Sequence, residues 1–256
     1  MKQTRILMVS FAAMLTALTL TVASCEKENN GTNGDNSGSN TEQPITDTLP
    51  TPDPGQDTTQ PMPPPQPQDD WVDLGLPSGL LWATCNLGAS TPEGIGNYYA
   101  WGETQPKETY RWSNYRYCTV DSNGNAETFT KYNASDHLTF LQPEDDAATV
   151  ALGADVHIPS KEDWQELLDN TTDEWTTVNG VNGRKFTAAN GKTLFLPVQY
   201  GNEGLYGYYW SRTLNTGVYA YETAWYLFFN SDQINVYRDD PRYAGEMIRP
   251  VRVRQN

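Results

Sequence analysis

The sequence predicts an α+β domain, mainly short antiparallel strands with two short helices, carried behind a disordered N-terminal stalk. Three observations lead there. At Trp71 a tract of Asn, Gly, Ser, Thr, Pro, Gln and Asp gives way to aromatic-rich sequence that runs to Asn256, about 186 residues and enough for one sizeable core. Within it, Asn179-Gly180, Asn182-Gly183 and Asn190-Gly191 punctuate short apolar and β-branched runs, each pair offering the positive φ angles of a tight hairpin. Only two stretches read as helices.

The elements follow in chain order. Lys2 and Arg5 precede an apolar run from Ile6 to Val22 that is too short and too rich in Thr for a membrane span, which is the anatomy of an export signal. It ends in Val22, Ala23, Ser24 and Cys25, which resembles the lipobox of bacterial lipoproteins. Residues 1–24 are therefore expected to be removed and Cys25 acylated, leaving the chain anchored to a membrane rather than spanning it. Glu26, Lys27 and Glu28 resemble a lipoprotein export signal and extend the expectation to the outer membrane and the cell surface.

Residues 25–70 form the linker. They are almost devoid of apolar side chains and end in PMPPPQPQ at 61–68, so they cannot bury enough surface to offset their ordering entropy. Such a stalk reaches at most about 150 Å when fully extended. Asp47-Thr48-Leu49 and Asp57-Thr58-Thr59 resemble the short signal for Bacteroidetes O-glycosylation, at Thr48 and Thr58; chance tripeptides in a polar linker are the other reading.

In the domain, one helix is expected over Glu144–Leu152, opened by Pro143, and another over Lys161–Asn170, capped by Ser160. In the second, Trp164, Leu167 and Leu168 recur at the spacing of one buried face. Strands are expected at Trp175–Val178, Arg184–Ala188, Thr193–Val198, Tyr208–Arg212, Ala224–Phe229, Ile234–Tyr237 and Met247–Val253.

Composition excludes several function classes. Removing residues 1–24 takes away Lys2 and Arg5 and no acidic residue, so the formal net charge goes from −15 to −17, and nucleic acid is not an expected partner. Cys85 and Cys118 are the thiols left; an oxidising compartment leaves a Cys85–Cys118 disulfide or two free thiols both open. His137 and His157 with two Cys do not make a structural zinc site. Asp121, Asn123 and Asn125 begin like a calcium loop, but Ala126 stands at its sixth position and Tyr132 at its twelfth, so no metal or cofactor is expected. No G-x-S-x-G elbow, phosphate-cradling Gly loop or HExxH stretch occurs. The pairs Asp145-Asp146 and Asp239-Asp240 fit a helix start or a solvated loop better than glycoside hydrolysis, and an enzyme is not expected.

Five segments in order, WVDLGLPSGLLWATCNLGA at 71–89, NYYAWGE at 97–103, IPSKEDWQELL at 158–168, GYYWS at 207–211 and IRPVR at 248–252, resemble the major paralogous domain first noted in Fibrobacter and abundant in Bacteroidetes lipoproteins. IPSKEDWQELL and IRPVR also resemble the helix and terminal strand of formylglycine-generating-enzyme-like proteins, which implies a C-type-lectin-like fold over 71–256. The oxidase chemistry does not come with it, since no Cys follows Cys118, and the sugar-binding calcium triplets of C-type lectins are missing. In related domains the C-terminal stretch is in some cases diversified by retroelements. Here Arg212, Val218, Tyr219, Tyr221, Tyr226, Asp232, Gln233, Tyr237, Arg238, Asp239 and Asp240 fall between frame segments in the same way, a pattern that ordinary duplication also produces.

The stretch 206–243 mixes Tyr and Trp with Asn, Ser, Gly and Arg, the composition of recognition surfaces. If Trp225, Leu227 and Phe229 point inward, alternation turns Tyr226 and Phe228 outward as an aromatic pair that something covers. With Phe228 and Tyr243 added, the residues above make the expected ligand face. The expected function is a surface lipoprotein that binds a glycan or a protein. A structural subunit of a surface complex is the alternative and an envelope-glycan enzyme the third reading.

Overall fold

The computed structural model describes residues 70–199, 204–217 and 221–254. They form an α+β domain of short, almost wholly antiparallel strands with two α-helices. A four-stranded sheet joins β1 (Trp71–Asp73), β2 (Leu81–Ala83), β12 (Val251–Arg252) and β5 (Val156–His157), in that order. The first and last strands of the domain therefore lie in one sheet. β3 (Cys118–Val120) and β4 (Ala126–Phe129) pair as a hairpin, and β6 (Thr171–Val178), β7 (Val181–Ala188) and β8 (Thr193–Pro197) form a meander. The third sheet, β11-β10-β9, is built from β9 (Gly207–Leu214), β10 (Thr223–Phe229) and β11 (Ile234–Pro241).

β9 and β10 of that sheet are buried on both sides, while β11 is largely open, which decides where a site can lie. Alternate residues of β9 and β10 enter two cores. Tyr209, Leu227 and Phe229, with Val236, pack with Trp164 and Leu167 of α2 (Lys161–Asn170), with Trp82 and with the β7–β8 side chains Phe186, Leu194 and Leu196. Trp210, Leu214, Tyr226 and Phe228 pack on the other side with Tyr99, Trp101, Tyr115, Tyr117, Tyr132 and Leu141, which come from the long irregular stretch between β2 and α1 (Ala147–Leu152). Indole N–H groups fasten that stretch to the sheet: Trp101 Nε1 donates to Ser211 O at 2.8 Å and Trp210 Nε1 to Tyr99 O at 2.7 Å. Each ring thus buries its area while its one donor is satisfied.

Two arginines with no exposed surface hold the framework. Arg249 donates to Asn86 Oδ1, Ala83 O and Phe195 O at 2.9–3.0 Å, so the end of the chain is knotted to β2 and β8. Arg242 donates to Tyr115 Oη and to the carbonyls of Lys131, Tyr132 and Tyr221, and its guanidinium lies 4.8–5.7 Å from the ring centroids of Phe129, Trp101, Tyr115 and Tyr132. Cation–π attraction and carbonyl acceptors replace a carboxylate there.

α2 spans the expected residues, with a reciprocal capping box: Ser160 Oγ accepts from Asp163 N and Asp163 Oδ2 accepts from Ser160 N. The helix expected over Glu144–Leu152 is a single 3-10 turn at Pro143–Asp145 followed by α1. Asp146 interrupts it in extended backbone, because its carboxylate accepts from Ala148 N, Thr149 N and Ile158 N at once. The strand expected over Met247–Val253 is only β12, since Pro250 cannot donate and Arg249 is turned into the core. Asn179-Gly180 makes the β6–β7 turn with φ of 48° and 84°, and Gly191 sits at 78° in the β7–β8 turn. Asn182-Gly183, by contrast, lies inside β7: a Cβ on Gly183 would meet Leu196 O at 2.3 Å and the Phe195 ring at 2.5 Å, so this glycine serves close approach and not a turn.

Candidate functional site

Cross-strand pairing gathers four rings on one face of the β9–β11 sheet. Phe228 stands opposite Tyr208 and Tyr226 opposite both Trp210 and Arg238. Tyr206 stacks on Phe228 at 6.1 Å, Tyr208 reaches Phe228 at 5.4 Å and Tyr226 at 5.7 Å, and the Arg238 guanidinium covers Phe228 at 4.4 Å. Tyr206 and Tyr208 are half-buried and Arg238 is exposed, so the strip keeps an accessible edge. Gly207 makes the arrangement possible between them: the Phe229 ring fills its Cβ position at 2.2–2.6 Å, from the α2 side.

Beside the strip lie two carboxyl groups. Glu246, 6% exposed, and Asp240 on β11 hydrogen-bond to each other, and Gln199 Nε2 donates to Glu246 Oε2 at 3.1 Å. Burial first, then the neighbouring charge of Asp240, push Glu246 well above the usual carboxylate range; burial also raises Asp240, with Asp239 adding to it. Two neighbouring buried carboxyl groups do not both ionise readily, so the charge on one opposes ionisation of the other. Burial raises the hydroxyl pKa of Tyr208 and of Tyr226.

The structure divides the expected ligand face. Tyr226, Phe228, Arg238 and Asp240 are together on the strip. Tyr226 and Phe228 are not outward, however: they are 7% and 5% exposed, and what covers them is the protein's own irregular stretch. Tyr237, 68% exposed, and Asp239 are on the opposite face, where Lys161 Nζ lies 3.5 Å from the Trp225 ring centroid and 5.0 Å from that of Tyr237. Asp239 accepts there from Asn215 Nδ2. Asp232 and Gln233 are exposed in the β10–β11 turn, their backbone N–H groups bound by Asn230 Oδ1. Arg212 lies over Phe140 at the β9 edge, Tyr221 serves Arg242 through its carbonyl, and Tyr243 packs on Trp112 at 4.7 Å. Cys25, Thr48, Thr58, Val218 and Tyr219 fall outside the described residues.

Other candidates resolve into framework. Cys85 and Cys118 are separate thiols: Cys118 Sγ donates to Trp112 O, and Cys85, two residues past β2, has its Sγ 3.8 Å from Thr84 Oγ1. The Asp121, Asn123, Asn125 triad is the β3–β4 turn, where Asp121 Oδ1 accepts from both backbone N–H groups. Among the described residues no three His, Cys, Asp or Glu side chains converge as metal ligands, and no helix is long and apolar enough to cross a membrane. A groove of about 670 Å³ beside β1 is lined by Trp71, Asp73, Lys192, Arg252 and Arg254. Its arginines are already engaged, Arg252 over Trp71 at 4.5 Å and Arg254 with Asp73.

Sequence reasoning left Tyr206, Tyr208, Gln199 and Glu246 out of the site. Glu246 carried a signal: it is an acidic residue set directly against the apolar Met247-Ile248 of the closing segment. Comparison of the chain with family models, with curated proteins and with solved structures produced no match.

Proposed function

We propose that this chain is a lipid-anchored, surface-displayed binding module of the bacterial cell envelope, a major paralogous domain of C-type-lectin-like fold that recognises a glycan. The observation that carries the reading is the Tyr206–Phe228–Tyr208–Tyr226 strip with Arg238 and Asp240 at its border. The half-buried rings of Tyr206 and Tyr208, tilted 46° to each other and backed by Phe228 and Tyr226, offer an apolar edge to a pyranose, and directional polar groups beside them fix its orientation. The C-type-lectin-like fold is supported by the placing of β1 and β12 in one sheet, with a long irregular stretch contributed to the same face as the strip. Acylation at Cys25 and surface display rest on the export signal and lipobox.

The carboxyl pair does not favour hydrolysis. Glycosidase carboxyls stand about 5 Å or more apart, with the sugar between them, whereas Asp240 and Glu246 bond directly. A protein contact is the second reading, favoured by exposed Tyr237 beside Lys161 and Trp225.

The test is a glycan array probed with the full chain in detergent. Tyr208→Ala should weaken capture at least about 30-fold, the size of an interface anchor, while Tyr237→Ala leaves it unchanged. The reverse pattern would move the site to the opposite face. Cys25→Ala should leave the membrane fraction or accumulate as precursor; unchanged partition and processing would refute the anchor.

A further inference from the structure

We infer that Asp240 and Glu246 form a proton-operated latch on the aromatic strip. While they share a proton, they bind the end of β11 to the segments that carry Tyr206 and Tyr99; when it leaves, the latch opens. For its effect on affinity, the inference rests on the strip's being the binding surface.

The connections are direct. Glu246 exchanges both backbone hydrogen bonds with Tyr99, at 3.0 and 3.1 Å, so its main chain is fixed to the stretch covering Tyr226 and Phe228. Its side chain meets Asp240 and accepts from Gln199 Nε2, and Gln199 N donates at 2.7 Å to the carbonyl of Tyr206, which stacks on Phe228 in the strip. Asp240, Glu246, Gln199 and Tyr206 therefore make one chain of hydrogen bonds, with a proton at the Asp240–Glu246 link.

Among the described residues, the other titratable or charged groups facing the pair are few. They are Tyr208 on β9, Tyr226 on β10, Arg238 on β11, and Tyr110, whose ring lies against Gly245; Asp239, on the opposite face of β11, acts on Asp240 through its charge. Arg238 is drawn to the Phe228 face and forms no ion pair with either carboxyl. With no cation to offset a second negative charge, a deprotonated pair repels across a buried contact.

The sign follows from the raised pKa of both groups in the folded chain. The latch contributes its full stability below the unfolded carboxyl values, near about 4, and loses it as pH rises through the folded value. The experiment is near-ultraviolet circular dichroism of the full chain in detergent, titrated from about pH 4.5 to 9, below the ordinary tyrosine range. The expected result is a reversible one-proton transition above the usual carboxylate range. Glu246→Gln should abolish it, because the amide donates to Asp240 at every pH. Asp240→Asn should move it to lower pH by removing the neighbouring charge.

A flat wild-type trace, or an unchanged transition in both variants, overturns the latch. For any glycan that binds, Kd should rise at least threefold across the transition in the wild type and stay level in Glu246→Gln. A level wild-type Kd would refute control of the site. Finding no binding glycan at all would count against the proposed function, while the spectroscopic titration by itself still upholds or overturns the latch.

Discussion

Arg242→Met is the sharpest probe of how this domain is held together. The substitution keeps most of the volume and an unbranched stem while removing every donor and the charge. In the native chain the guanidinium serves Tyr115 Oη at 2.9 Å and the carbonyls of Tyr221, Lys131 and Tyr132 at 2.9–3.2 Å. Tyr115 keeps another bond, donating to Trp101 O, so the loss falls on three carbonyls. A buried acceptor left without a partner costs roughly 1–3 kcal/mol. The low end applies to the two that lie near the surface. The ring cage adds about 1–2 kcal/mol, and relief from desolvating the guanidinium offsets part of the whole. A net loss of about 3–5 kcal/mol follows, the scale seen when one partner of a buried charged contact is removed. For a domain of this length that corresponds to a fall in Tm of roughly 8–16 °C. Thermal and urea unfolding of the full chain measure it. Arg242→Lys, which keeps the charge but reaches fewer acceptors, should lie between. A Met variant melting within about 2 °C of the wild type would show that the carbonyls are satisfied without Arg242, and that the cage is incidental.

Three further outcomes are expected. Gly207→Ala drives a Cβ into the fully buried Phe229 ring and should cost about 1–3 kcal/mol in urea unfolding; a neutral result would mean that the two strands can part at no cost. Burial works to raise Asp145, yet Lys131 and the hydroxyls of Tyr117 and Tyr132 outweigh it, and its carboxyl is held below the usual range. That contribution is therefore present above the unfolded value near about 3.9 and lost as pH falls through the folded one; Asp145→Asn should flatten this acid limb of a stability–pH curve, and an unchanged limb would assign it elsewhere. Tyr226→Ala should lose about 3–5 kcal/mol, whereas Tyr237→Ala should stay within about 0.5 kcal/mol; equal losses would contradict the burial difference between them.

The elements that the sequence announces are those whose signals are local. α2 carries its own cap and its own apolar spacing, and the Asn179-Gly180 turn needs only two residues of suitable φ. β1, β2 and β5 were not legible, because strands of two or three residues have no period of their own and exist through pairing, β2 and β5 with β12, a partner far along the chain, and β1 with β2. The same holds at the site. Alternation along β10 correctly separates Tyr226 and Phe228 from Leu227 and Phe229, but it cannot tell solvent from a second core delivered by Trp101, Tyr115 and Tyr132. Glu246 and Gln199 escaped for a related reason: each acquires its role from a group dozens of residues away. Asp239 and Asp240, adjacent in sequence and read as one solvated pair, go to opposite faces of a strand, which a two-residue period dictates once the strand is known.

β11 is the outer strand of its sheet, and an outer strand offers a free row of backbone donors and acceptors to any passing chain. Its middle carries Arg238, Asp239 and Asp240, it closes on Pro241, and its pairing with β10 is broken by an irregularity between Tyr226 and Phe228. Charge, a missing N–H and a break in register each make that row a poor template for edge-to-edge growth. Two cores' worth of aromatic side chains are thus stacked behind a strand whose edge resists pairing with another of its own kind.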